Sequence, residues 1–205
     1  MKIVGISGAI TGSKTKIAVQ FALDHIQANH PGAETELIDL SQNEMVFSDG
    51  RDFRDYTDDT AKVTATIMAA DAILIGTPTY QASISGALKN VLDLLPERAF
   101  QEKNVAIITT AGSPKHYLVA ELQLKPILAY MKARIAQNYV FIEERQYDRG
   151  QIVDDDVTLR LQRLADDLRV RNPSTPRNHQ TKRRTLRFLN KKRLYNHIPH
   201  RDITV

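Results

Sequence analysis

The chain has 205 residues, 42% of them hydrophobic, and a formal net charge of +4, which suits one α/β domain with a sizeable core and leaves too little for a second full domain. It contains no cysteine, so a disulfide framework, a Cys-based metal site and a thiolate nucleophile are excluded, and a cytoplasmic location is expected. No run approaches the roughly 20 apolar residues of a spanning helix, and the opening MKIVGI lacks the basic-then-apolar pattern of a signal peptide.

In chain order, Lys2 to Ser7 reads as a buried strand and Thr15 to Ala28 as a helix with Ile17, Ala18, Phe21, Ala22 and Ile26 on one face. Between them lies SGAITGSKT. Gly8 and Gly12 permit tight turns, while Ser7, Thr11, Ser13 and Thr15 bring hydroxyls and Lys14 brings charge to a helix N-terminus. That is an anion-binding composition. Ser13 serves equally well as a plain helix cap. The spacing is not that of a P-loop, because Gly8 and Gly12 enclose three residues and Ser13 intervenes before Lys14. A GxGxxG fingerprint is absent too.

Glu34 to Leu40 alternates as a second strand after the Asn29-His30-Pro31-Gly32 break. Residues 41–56 form a long polar connection containing Met45, Val46 and Phe47, either a cover for a ligand or a surface excursion. A helix is expected over Thr57 to Ala70, with Ala61, Val63, Ala65, Ile67 and Met68 inward. The aliphatic run Ala72 to Gly76 predicts a buried strand that stops at Gly76, since Thr77-Pro78 should end it. Thr77 to Ser85 then reads as a polar loop, and from Gly86 the residues Ala87, Leu88, Val91, Leu92 and Leu95 recur at helical spacing. Asn104 to Thr110 repeats the pattern, a strand feeding the small polar loop Thr110-Ala111-Gly112-Ser113-Pro114. A helix over Leu118 to Met131 should be kinked, or lose one hydrogen bond, at Pro126. Ile135 to Ile142 predicts the fifth strand, and Asp154 to Arg169 a final helix with Val157, Leu161, Leu164 and Leu168 inward.

The run Pro78-Thr79-Tyr80, Ala82-Ser83, Ser85 to Asn90 and Leu92 to Ala99 resembles the NAD(P)H-dependent FMN reductases of the flavodoxin-like fold. The likeness is densest from Gly76 to Leu128 and extends loosely over about the first 170 residues. Within that family it is most similar to the reductases that feed two-component alkanesulfonate monooxygenases. Five βα units with long crossovers require parallel strands. The fold implied is an α/β, flavodoxin-like three-layer sandwich with a five-stranded parallel sheet in the order 2-1-3-4-5. That order places the first and third strands at the switch point and brings Ser7 to Thr15 together with Pro78 to Ser83.

The resemblance further implies FMN and NADPH or NADH as cofactors. Ser7, Ser13, Lys14 and Thr15 would hold the FMN phosphate, although the family's Ser-Gly-Ser-Pro opening is here Ser7-Gly8-Ala9-Ile10. Pro78, Thr79, Tyr80 and Gln81 would line one edge of the isoalloxazine ring, and Ala111, Gly112 and Ser113 the pyrimidine end. The corresponding reaction is hydride transfer from the nicotinamide to flavin N5, with backbone N–H groups near Gly112 stabilising charge at N1 and C2=O. No protein acid or base is required. His116 reads as a cap or surface group, and Lys89 with Asp93 as an ordinary helical pair. A homodimer or homotetramer and a flavin-dependent monooxygenase partner are implied as well. Two rivals share the loops: an enzyme that keeps FMN bound and reduces quinones or azo dyes, and a flavodoxin-type electron carrier.

The charge is unevenly distributed. Residues 1–170 hold 18 Lys+Arg against 23 Asp+Glu, whereas residues 171–205 hold 10 against 1. The expected organisation is therefore a reductase domain over 1–171 and a basic C-terminal extension over 172–205, opened by NPSTPRNH. Clustered Lys and Arg with Leu186, Phe188, Leu189, Leu194 and Tyr195 suit docking on a partner subunit, contact with an anionic membrane or nucleic acid, or an arm toward the NADPH 2′-phosphate.

Overall fold

The computed structural model describes residues 1–168; the basic segment 172–205, and every expectation attached to it, lies outside the described residues. The elements run β1 (Lys2–Ser7), α1 (Lys14–Asn29), β2 (Glu34–Asp39), α2 (Asp58–Ala69), β3 (Ala72–Tyr80), β4 (Ser83–Ile84), α3 (Gly86–Leu94) and β5 (Asn104–Ala111). They continue with a π-turn (Ala120–Leu124), α4 (Lys125–Tyr130), β6 (Arg134–Ile135), β7 (Val140–Glu143), a small hairpin of β8 (Tyr147–Asp148) and β9 (Gln151–Ile152), and α5 (Asp155–Asp167).

The central strands pair in the order β2-β1-β3-β5, and β6 and β7 share the place beyond β5. All these pairings are parallel, giving the expected flavodoxin-like 2-1-3-4-5 arrangement. Strand alternation sorts the apolar side chains onto two faces. Val4, Ile6, Ile73, Ile75, Val105 and Ile107 pack with α2, α3 and α4 residues such as Ile67, Leu88 and Leu128. Ile3, Leu74, Ala106 and Ile108 pack on the other side with Val19, Leu23, Leu161 and Leu164 of α1 and α5. Each helix thus buries one stripe against the sheet, leaving the strands' carboxyl ends for function.

Several expected boundaries are corrected. β3 does not stop at Gly76 but passes through Thr77-Pro78 to Tyr80, with Pro78 opposite Thr110. A proline is tolerated there because the pairing with β1 ends at Ser7 and Gly76. The Gly76 carbonyl faces β1 and accepts from Gly8 N–H at 2.8 Å. Pro78, two residues on, faces the same side, past the last β1 partner and just before β4 begins to pair at Thr79, so no ladder bond there needs its N–H. The expected loop Thr77 to Ser85 is consequently a strand end plus a two-residue turn into antiparallel β4.

The fifth strand is split rather than continuous. Ala136 N–H still donates to the Val105 carbonyl at 2.8 Å, but residues 137–139 leave the ladder, with Lys125 Nζ bound to the Gln137 carbonyl at 3.1 Å and Tyr139 Oη to the Tyr117 carbonyl at 2.7 Å. Pro126 does not end the fourth helix, which runs on through it with a π-turn just before. The Lys125 N–H reaches back five residues to the Ala120 carbonyl, a wide turn placed where the following proline has no N–H to offer. In α2 the inward face is Thr60, Val63, Thr64 and Ile67, and Ala65 points out. Thr64 can be buried because its hydroxyl donates to the Thr60 carbonyl at 2.8 Å. The connection 41–56 is pinned to α3 by Asn90, which accepts from Ser48 N–H and donates to the Val46 carbonyl, both at 2.9 Å. Among the described residues, no helix is long and apolar enough to cross a membrane.

Candidate active site

A cavity of about 340 Å³ opens at the carboxyl edge of the sheet, within the usual size range of small-ligand sites. Its walls are Thr11 to Thr15 at the start of α1, Pro78 to Tyr80 at the end of β3, Thr110 to Gly112 at the end of β5, and Ile142, Glu144 and Tyr147 beyond β7. Four strand ends therefore meet on one space.

The loop from β1 to α1 is fixed at its root. Gly8 N–H donates to the Gly76 carbonyl, and the buried Ser85 hydroxyl donates to the Gly8 carbonyl at 2.6 Å while accepting from Leu88 N–H at 3.1 Å. Ser85 thereby caps α3 and holds the loop with the same oxygen. A side chain at Gly76 would collide with α1, since an added Cβ would lie 2.3 Å from Val19 Cγ2. Close approach of helix and strand needs glycine there. At the loop tip, Gly12 adopts φ +76°, a backbone that disfavours other residues.

The N-terminus of α1 opens into this space. Ser13 occupies the N-cap, but its side chain makes no cap hydrogen bond, so the hydroxyl is not used as the helix cap foreseen as one option. The first N–H groups of the helix have no helical acceptors, and they carry the positive end of the helix dipole. Thr15 is tied to the end of β5 by a 2.7 Å bond between its hydroxyl and that of Thr110. Tyr80 closes the opposite rim, its hydroxyl donating to the Thr11 carbonyl at 3.2 Å.

Ser13, Lys14, Thr15, Pro78, Thr79, Tyr80, Ala111 and Gly112 thus come together as cavity walls. Three other expected residues stand outside the lining. Ser7 is fully buried beneath it, Gln81 forms the β3–β4 turn with φ +49°, and Ser113 caps the short turn at Pro114 by accepting from Lys115 N–H at 3.3 Å. Two residues that sequence reasoning passed over, Glu144 and Tyr147, complete the wall. Glu144 is salt-bridged to Lys14, which holds its carboxyl below the usual range. Tyr147 donates to the Lys14 carbonyl at 3.0 Å, and burial pushes its phenol well up. The available signal was positional: a fifth strand must also end at this edge.

Thr79 Oγ1 is buried in the wall without a hydrogen-bond partner. A polar atom in that condition is costly unless something fills the space beside it. An open helix N-terminus, a lysine, unused hydroxyls and small residues at Ala111 and Gly112 suit a flat ligand bearing an anionic group.

A family model described as NADPH-dependent FMN reductase matches residues 1–147. The chain belongs to that family. NAD(P)H-dependent FMN reduction is accordingly its activity, and the residues lining the cavity fit such a flavin. The chain is 38% identical over 166 residues to an NAD(P)H-dependent FAD/FMN reductase of Geobacillus thermodenitrificans (strain NG80-2), covering 80% of this chain and 90% of that one. It is 43% identical over 83 residues to an FMN reductase (NADPH) of Escherichia coli (strain K12), covering 40% and 44%. The crystal structure of an apo NADH:FMN oxidoreductase, EMOB, superposes on this reductase with a TM-score of 0.71 at 29% identity, over 85% of this chain and 91% of that one.

Proposed function

We propose that the cavity is the FMN site of this reductase and that FMN enters it as an exchangeable substrate. Its phosphate would lie at the N-terminus of α1, held by Ser13, Lys14 and Thr15. Its ring would lie between Pro78 to Tyr80 and Ala111 to Gly112, with Thr79 Oγ1 as a polar contact. When bound, FMN supplies a ring that accepts the hydride NAD(P)H gives up, so the chain need provide no nucleophile. The protein's part is to orient, and to hold backbone N–H groups against the pyrimidine end, where negative charge grows. Among the described residues no cluster of His, Cys, Asp and Glu suits a metal ion.

The single observation that carries this reading is the convergence of an uncapped α1 N-terminus and an unpartnered Thr79 hydroxyl on one cavity. The test follows NADPH oxidation by dialysed, colourless protein with and without added FMN. Turnover that requires FMN and saturates with it is expected. Flavin that survives dialysis and turns over only with a quinone or azo acceptor would replace the substrate role by a bound one. No oxidation under either condition would indicate an electron carrier.

The remaining assignments belong to the same reading. The reductase domain is 1–171 and the basic extension 172–205; the location is cytoplasmic, and the reduced flavin is handed to a monooxygenase. A homodimer or homotetramer is supported by a groove of about 560 Å³ between α3 and α4, lined by Leu92, Leu95, Pro126, Ile127 and Tyr130 among others. A monomer in sedimentation would reject it.

A further inference from the structure

The mouth of the cavity carries a carboxylate where the anion-binding loop alone would present a free cation. Glu144 stands just beyond β7 and pairs with Lys14 Nζ. Its other oxygen, Oε2, lies 3.7 Å from the position a Cβ on Gly112 would take. The side chain therefore spans from the α1 loop to the β5 loop.

The turn behind Glu144 is hydrogen-bonded. Glu143 N–H donates to Gln146 Oε1 at 2.8 Å, Gln146 Nε2 donates to Asp154 Oδ2 at 2.7 Å, and Tyr147 holds the Lys14 carbonyl. Lys14 is thus gripped twice from one short segment, by Tyr147 at its backbone and by Glu144 at its ammonium. The neighbouring Arg145 is taken by Glu143 at 3.0 Å and leaves Glu144 to Lys14. With side chains 42% and 66% exposed, such a pair contributes little to stability. Its effect is local: it engages the one lysine that lines the cavity among the described residues and sets a negative charge beside the N-terminus of α1.

We propose that Glu144 sets the affinity and phosphate selectivity of the flavin site by competing with the FMN phosphate for Lys14. The proposal rests on the cavity being the FMN site. A phosphate at the α1 N-terminus needs the same ammonium that Glu144 holds, and the two anions repel at close range. Each binding event must release Lys14 from Glu144, and each departure is assisted by the carboxylate's return. Glu144 is exposed enough to swing away without disturbing the core. Riboflavin carries the same ring without the phosphate, so this exchange does not touch it. The site is thereby kept in the range where flavin is picked up and let go.

The experiment titrates the dialysed full chain with FMN and, separately, with riboflavin, reading flavin fluorescence, for wild type, Glu144→Gln, Lys14→Met and the double variant. Glu144→Gln is expected to tighten FMN roughly three- to tenfold, the range of one screened charge interaction, and to leave riboflavin unchanged. Lys14→Met is expected to weaken FMN alone, and in its background Glu144→Gln should gain less. An equal change for both flavins would overturn the proposal, because Glu144 would then act on the ring. Unchanged FMN affinity in Glu144→Gln would overturn it as well, leaving a plain surface ion pair. If wild type binds neither flavin, the assignment of the cavity falls and the proposal with it.

Discussion

Thr79 separates binding from folding because its buried hydroxyl has no protein partner. In most buried threonines a change to valine removes a hydrogen bond and destabilises the fold. Here the fold has none to lose at that atom. Thr79→Val should therefore leave the urea midpoint of the apoprotein unchanged or slightly raised. The same change should weaken FMN by about 1 kcal/mol, near the net worth of one hydrogen bond, measured by fluorescence titration. A variant that loses stability and keeps its flavin affinity would show that Thr79 serves the fold. Lys14 is the converse case, since its role as a cation was legible from the loop composition. Its partner was not: Glu144 lies 130 positions away, and no local pattern announces a pair across that span.

At the level of elements, the loops were easier to place than the strand ends that carry them. The order of the sheet was what the family resemblance implied, while periodicity located all five principal helices, because each helix must bury one face. It misjudged β3 because proline was read as a stop wherever it stands. Whether a proline interrupts a strand depends on what lies beside its nitrogen, and that neighbour is a non-local fact. The split of the fifth strand is non-local for the same reason, with Lys125 and Tyr139 holding residues 137–139 out of the ladder. Ser85 shows how one side chain can join two elements. Ser85→Ala removes the α3 cap and leaves the Gly8 carbonyl unpaired, for a loss of about 2 kcal/mol in urea unfolding. It should also weaken FMN, because the loop that would hold the phosphate starts at Gly8. Loss of stability alone would show that the loop keeps its shape without this tie.

For the whole molecule, the sheet divides the apolar interior into two clusters, one against α2, α3 and α4 and the other against α1 and α5. Leu128 is fully buried in the first and Leu161 in the second. Each truncation to alanine should cost about 2–5 kcal/mol. Because the two cavities would share no partners, the double variant should lose the sum of the single losses to within about 0.5 kcal/mol. Urea unfolding of the four proteins measures this directly. A larger coupling would mean that strain passes through the sheet from one face to the other.

The passage of β3 through Pro78 has a consequence for what cannot bind. Where pairing with β1 ends at Ser7 and Gly76, β4 takes over at Thr79 and Tyr80, so the end of β3 offers no long bare edge of the kind that invites any extended segment to continue the ladder. In the short gap between those two partners, Pro78 withholds the donor an intruder would use. The chain thereby protects the rim of its own slot from being zipped shut by stray peptide, and the space between the strand ends stays available to a flat guest that stacks rather than pairs.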